Sequence, residues 1–141
     1  MSLVIDASVA LKWVLDETGG EAASALLDEE LIAPPLWLVE AANALWRRAQ
    51  RGEISADGAR ERLAELFNAP VTTTAIEADL EAATELALKL AHPVCDCLYL
   101  ALAIRENTQV VTADRRFVTA VDRSPTYKST VRLLGGLGCA S

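Results

Sequence analysis

Apolar positions along the chain follow two rhythms. Short, unbroken apolar or β-branched runs stand at 3–5, 31–33, 71–74 and 109–112. Runs of that length suit strands buried on both faces. Longer stretches between them carry helical spacing and helix punctuation. Residues 7–16 read as a helix that Thr18-Gly19-Gly20 breaks, and 21–30 as a short amphipathic helix. Pro34-Pro35 opens the next helix, which runs to about residue 50 and stops at Gly52. Ser55 is a suitable N-cap for a helix over 56–67, which Asn68-Ala69-Pro70 ends. Residues 77–90 are helical, and His92-Pro93 starts a helix over 94–105 that is apolar on nearly every side and therefore buried. A short helix over 114–121, a loop at Ser124-Pro125, a final strand over 129–134 and a frayed tail over 135–141 complete the chain. Strands alternate with helices, which predicts an α/β sandwich around a mostly parallel sheet. No repeat, linker or change of composition divides the 141 residues. The expectation is one domain over 1–141 with an ordered core of about 3–134.

Composition narrows the class. The hydrophobic fraction is 52%, charged residues are 23% and mean hydropathy is +0.23, values that exclude a disordered chain. With 20 Asp+Glu against 13 Lys+Arg the formal charge is −7, which argues against a protein that coats nucleic acid non-specifically. A local basic patch or bound cations would still allow nucleic-acid binding. The start has no basic segment and an acid soon interrupts its apolar run, so no secretory signal is expected. No apolar run approaches the ~18 residues that span a membrane. The expectation is a cytoplasmic protein with no membrane partner. Cys95, Cys97 and Cys139 are an odd set whose C-x-C spacing fits neither a disulfide framework nor a zinc knuckle. They read as reduced packing thiols, and the lone His92 as a loop residue.

Most acids lie in charged surroundings and read as solvated helix faces, among them Asp28, Glu29, Glu77, Asp79 and Glu81. Asp6, Glu40, Asp96 and Asp114 differ, because apolar sequence surrounds each of them. Burying an ionised carboxylate without a partner costs several kcal/mol. Each has an ordinary structural explanation. Asp6 and Asp114 stand between a strand and a helix, where Asp caps helices. Asp96 falls in a first turn, where the helix dipole favours an anion. Glu40 could pair with an Arg of a neighbouring helix. Together, however, they outnumber the cations in the apolar segments. In an open parallel sheet functional groups gather beyond the carboxyl ends of strands, where Asp6 and Asp114 fall. Divalent metal resolves such a cluster, and oxygen donors suit Mg2+ or Mn2+.

Neighbouring residues support the cluster. Ser8 lies two past Asp6, and Thr112 two before Asp114. Asn43 is three past Glu40 and shares its helix face. Arg47 continues that stripe, where it could hold a phosphate. Lys12, Arg115 and Arg116 could add to a local basic patch, and surface solubility explains each of them as cheaply.

The ordered set Asp6-Ala7-Ser8, Glu40-x-x-Asn43, Asp96 with Ala101, and Thr112-x-Asp114-x-x-Phe117 resembles the signature of PIN-domain nucleases. Within that family it is most similar to the VapC-type toxins of toxin–antitoxin pairs. The resemblance covers about 3–134, and it rests on the order and spacing of the set rather than on any one motif. It implies a PIN-like three-layer α/β/α sandwich and a metal-dependent endoribonuclease. Asp6, Glu40, Asp96 and Asp114 would be metal ligands or carboxylates supporting them. Ser8, Asn43 and Thr112 would support those ligands, and Arg47, Lys12, Arg115 and Arg116 would face RNA. The chemistry implied is in-line attack of water on phosphorus, assisted by Mg2+ or Mn2+. The resemblance also implies a homodimer and a cognate antitoxin that covers the site.

Two other classes place Asp at strand ends. A haloacid-dehalogenase-type phosphatase needs a second Asp two past the first, where this chain has Ser8. A receiver-like phosphotransfer domain needs an acceptor Asp after the middle strand, where this chain has Val71-Thr72-Thr73-Thr74. A non-catalytic PIN-like binding module is the remaining alternative. Its mark would be the loss of one of the four acids, and all four are present.

Overall fold

A computed structural model describes residues 2–135. The expected tail over 136–141, with Cys139, lies outside them. The strands are β1 (Ser2–Ile5), β2 (Glu30–Ala33), β3 (Val71–Thr73), β4 (Val110–Thr112) and β5 (Val131–Leu133). They form one sheet in the order β3-β2-β1-β4-β5, with every pairing parallel. The helices are α1 (Ala7–Ala10), α2 (Gly20–Ala25), α3 (Leu36–Gln50), α4 (Ala56–Phe67), α5 (Leu80–Leu90), α6 (Val94–Arg105) and α7 (Arg115–Asp122). This is the α/β/α sandwich expected from the alternation of patterns, with a sheet that is wholly rather than mostly parallel.

Chain direction explains where a site can form. The chain steps outward from β1 to β2 and β3, then returns through α5 and α6 to add β4 on the opposite side of β1. The carboxyl ends of β1 and β4 therefore flank the point where strand order reverses, the usual crevice of open parallel sheets. Val4 pairs with Val110 and Ile5 with Val111. That register brings Asp6 and Thr112, the next residue of each strand, to the same edge.

The core is built where the apolar runs predict it. Leu3, Val4 and Ile5 on β1, Val110 and Val111 on β4, and Cys97 to Ala103 on α6 are all buried. Trp37, Leu45 and Phe117 close it from α3 and α7. Helix α6 packs on β1, β4 and α5, which explains why it carries no polar face until its ends.

Four local expectations are corrected. The helix expected over 7–16 is only Ala7–Ala10, followed by a 3-10 turn over Leu11–Trp13. The helix expected over 21–30 is Gly20–Ala25 with a 3-10 turn over Leu26–Asp28, because Glu30 is drawn into the ladder opposite Ser2. Helix α5 begins at Leu80 rather than at 77, after a turn in which the Asp79 N–H donates to the Ile76 carbonyl. Asp79 is not a solvated acid. Its carboxylate is 6% exposed and is gripped by Arg105 at 2.7 and 2.9 Å. The pair ties the start of α5 to the end of α6. Among the described residues no single helix is long and apolar enough to cross a membrane.

Candidate active site

Asp6 leaves β1 and caps α1, with its Oδ1 accepting from the Val9 N–H at 3.4 Å. Two hydroxyls also serve it. Ser8 Oγ donates to Oδ1 at 2.5 Å, and Thr112 Oγ1 donates to Oδ2 at 2.5 Å. The same hydroxyls accept from the next turn of chain, Ser8 Oγ from the Ala113 N–H at 2.9 Å and Thr112 Oγ1 from the Asp114 N–H at 3.0 Å. Ser8 and Thr112 thus staple the end of β1 to the β4–α7 connection and orient Asp6. Asp114 caps α7 by accepting from the Arg116 N–H at 2.9 Å.

Glu40 lies on α3 and accepts from the Tyr99 hydroxyl at 2.6 Å. No Arg reaches it, so the expected alternative of an Arg partner is not realised among the described residues. The Tyr99 ring is fully buried, and its hydroxyl needs the acceptor that Glu40 supplies. Asp96 sits in the first turn of α6 and meets His92 Nε2 at 2.7 Å on its Oδ2. The His92 ring lies flat on Phe117, with centroids 5.2 Å apart and planes 7° apart.

Electrostatics separates these acids from an ordinary buried one. Asp6 is 7% exposed, and no Lys or Arg among the described residues is paired with it, with Glu40 or with Asp114. Burial pushes the Asp6 carboxyl up to about 6 against the pull of its three hydrogen bonds, and the charge of Asp96 adds to the rise. Glu40 is raised in the same direction, first by burial and then by Asp96, with the Tyr99 hydrogen bond opposing. Burial and the Glu40 charge push the Tyr99 phenol far above its usual range. Asp96 is therefore electrostatically in reach of both Asp6 and Glu40. It also shares with Asp114 the wall of a cleft of about 550 Å³, which His92, Arg115, Arg116 and Arg123 line as well.

These observations bear on a metal. Every candidate donor is a carboxylate or hydroxyl oxygen, the set that suits Mg2+ or Mn2+. The buried charge of Asp6 lacks the cation that Asp79 receives from Arg105. The chemistry of the donors and their unmet charge fit a divalent ion. As the side chains stand, no three of them among the described residues converge on one point at ligand distance. Each acid has turned an oxygen to a protein donor instead, to Ser8 and Thr112, Tyr99, His92 or the Arg116 N–H. Such bonds are those that hold a ligand carboxylate in orientation.

The remaining sequence candidates fall differently. Asn43 and Arg47 are exposed on α3. Lys12 faces away from any free role: its ammonium pairs with Glu17 at 3.3 Å and donates to the Thr18 carbonyl at 2.7 Å. Arg115 and Arg116 are exposed and line the cleft. Sequence reasoning missed two groups, His92 and Tyr99. The four-residue spacing from His92 to Asp96 was a readable signal. The separation of 59 positions between Glu40 and Tyr99 left none. Cys97 is buried, as expected of a packing thiol, but Cys95 is exposed.

Comparison with known proteins accords with this geometry. Residues 3–122 match the family model of the PIN domain. Ribonuclease VapC3 of Pyrobaculum aerophilum is 36% identical over 120 residues, covering 82% of this chain and 92% of that protein. A crystal structure of PAE2754 from the same organism has a TM-score of 0.74 at 18% identity, covering 99% of this chain and 88% of that one. VapBC2 of Rickettsia felis, bound to a DNA fragment from its promoter, gives a TM-score of 0.65 at 15% identity, with 94% and 98% covered. The family model spans most of the chain and the relative aligns along nearly its whole length: the chain belongs to the PIN-domain family, among its VapC-type members.

Proposed function

We propose that the protein is an Mg2+- or Mn2+-dependent endoribonuclease and the toxin of a toxin–antitoxin pair, with Asp6, Glu40, Asp96 and Asp114 as its catalytic carboxylates. The observation that carries this reading is the buried carboxylate of Asp6 at the carboxyl end of β1, which no Lys or Arg among the described residues pairs with. A protein that needed these acids only for folding would neutralise them, as it neutralises Asp79 with Arg105. Relationship to a ribonuclease of 36% identity supports the reaction class.

In this reading Asp6, Asp96 and Asp114 hold the ion, and Glu40 completes or supports the set. The ion, when bound, supplies Lewis acidity toward the attacked phosphate and lowers the pKa of the attacking water. The protein's own part is orientation. Ser8 and Thr112 fix both oxygens of Asp6, Tyr99 fixes one oxygen of Glu40, and His92 one oxygen of Asp96. Arg115 and Arg116 stand at the cleft to take phosphate oxygens. Arg47 and Asn43 would approach the substrate from α3, whereas Lys12, already engaged by Glu17 and Thr18, would serve by anchoring the turn after α1. The family relationship to the VapBC2 assembly favours a cognate antitoxin as partner. Val39, Trp46 and Phe67 are large apolar side chains left exposed on α3 and α4, surface that an antitoxin or a second copy of the chain would cover.

The test is cleavage of a mixture of tRNA and rRNA by antitoxin-free protein. Discrete cuts with Mg2+ or Mn2+, absent with EDTA and absent in Asp96→Asn, are expected. Cutting by wild type and Asp96→Asn alike would reject the assignment. Tight Mn2+ binding with no cutting of any RNA would favour the non-catalytic module.

A further inference from the structure

The cations of this acidic chain are unevenly spent. Lys12, Arg48, Arg51, Arg60 and Arg105 are held in ion pairs, and Arg62 donates to the Val14 and Gly58 carbonyls. Arg47, Lys128 and Arg132 form no ion pair and no side-chain hydrogen bond among the described residues, and neither do the four cations Lys89, Arg115, Arg116 and Arg123. These last four are all exposed, and all four line one continuous depression. The cleft of about 550 Å³ that holds Asp96 and Asp114 adjoins a second of about 280 Å³, and the two share Ala120 and Arg123. The second is closed by Lys89 from the end of α5 and by Tyr127.

The helix spacing makes this a track rather than a scatter. Arg116, Ala120 and Arg123 are spaced four and three apart, and Arg123 caps the carboxyl end of α7 with helical backbone, so the three lie in one stripe along the helix. Ala120 is buried and small, and leaves a floor between two guanidinium groups. The stripe begins beside Asp114 and ends at Lys89, beyond which Glu85 marks the return of negative charge. Guanidinium groups without carboxylate partners are suited to phosphate oxygens, which they bind with two parallel donors.

We propose that this groove carries the phosphate backbone of the RNA strand on one side of the cut, on Arg116, Arg123 and Lys89. The proposal rests on the nuclease reading above and adds a direction to it. Substrate leaves the carboxylates along α7 toward α5, so RNA that extends that way is held more tightly than RNA ending at the cut.

Binding of a labelled single-stranded uridine oligomer, followed by fluorescence anisotropy in EDTA across a KCl series, tests this. Each phosphate contact on a single strand contributes about 0.7 to the slope of log affinity against log salt. The Lys89→Ala, Arg123→Ala double variant is expected to lower that slope by about 1.4. Arg51→Ala, whose guanidinium is already paired with Glu53 outside the groove, is expected to leave it unchanged. Thermal melting of both variants serves as the folding control, since the replaced side chains are exposed. A wild-type slope in the double variant overturns the groove, and the nuclease reading then stands if that variant cuts RNA with Mn2+ as wild type does. Wild-type protein that neither binds the oligomer in a salt-dependent way nor cuts RNA with metal overturns both.

Discussion

Asp6 and Asp79 are equally buried aspartates with opposite solutions. Arg105 neutralises Asp79, whereas Asp6 has only hydroxyl and amide donors. The consequence for stability has a definite sign. The Asp6 carboxyl is raised from an ordinary 3.8 to about 6, so the metal-free native state binds its proton more tightly than the unfolded chain does. Stability from this group is fully present below about pH 4 and is lost as pH rises to about 6. The loss is at most about 3 kcal/mol. Urea midpoints of metal-free wild type, measured against Asp6→Asn, are expected to fall across that window and then level off. A difference that is flat with pH would mean the carboxylate is already neutralised by the protein. At Asp96 the relevant neighbour is His92. Its ring, held flat against Phe117, fixes one oxygen of Asp96. Removing such an outer partner typically weakens metal binding 10–100-fold. Calorimetry of His92→Ala with Mn2+ is expected to show a loss of at least about tenfold at unchanged stoichiometry. Equal affinity would reduce His92 to a packing residue.

At the scale of elements, the edge that carries the candidate site is the part that sequence reveals best. Strand β1 is too apolar to lie anywhere but the sheet centre, so the acid ending it is placed by topology alone. The same holds for Asp114 after β4. Patterns failed where a contact far along the chain decided the outcome. Asp79 sits in a charged run, and its partner Arg105 is 26 residues away. Residues 7–16 have helical spacing, but the chain turns into 3-10 geometry at Leu11. Gly19 precedes helix α2 as its N-cap, and its φ of 93° is left-handed backbone that glycine tolerates best. The Asp79–Arg105 clasp joins α5 to α6, the hairpin that delivers Asp96 to the site. Asp79→Asn keeps the shape and removes the charge, leaving the Arg105 guanidinium with only the exposed Glu106 as a carboxylate partner. Urea unfolding is expected to show a loss of about 2 kcal/mol with RNA cleavage retained in the folded protein. A loss of cleavage with full stability would place Asp79 in the chemistry instead.

For the molecule as a whole, charge is the organising quantity. The chain carries −7 overall, yet among the described residues Asp6, Glu40 and Asp114 pair with no Lys or Arg, while four cations that form no ion pair line the adjoining groove. Composition alone argued against a protein that coats nucleic acid non-specifically. The family signature argued for a nuclease, and the proposed arrangement reconciles the two, because a divalent ion would offset the acids locally while Arg115, Arg116 and Arg123, which line the cleft, would face the phosphates. Titration of metal-free protein with Mn2+ by calorimetry, in wild type and in the Asp6→Asn, Asp114→Asn double variant, examines that arrangement at its source. Saturable binding by the wild type, lost in the double variant while its fold is kept, is the expected result. Equal Mn2+ binding by both proteins would put the ion elsewhere and remove the carboxylate cluster from the chemistry.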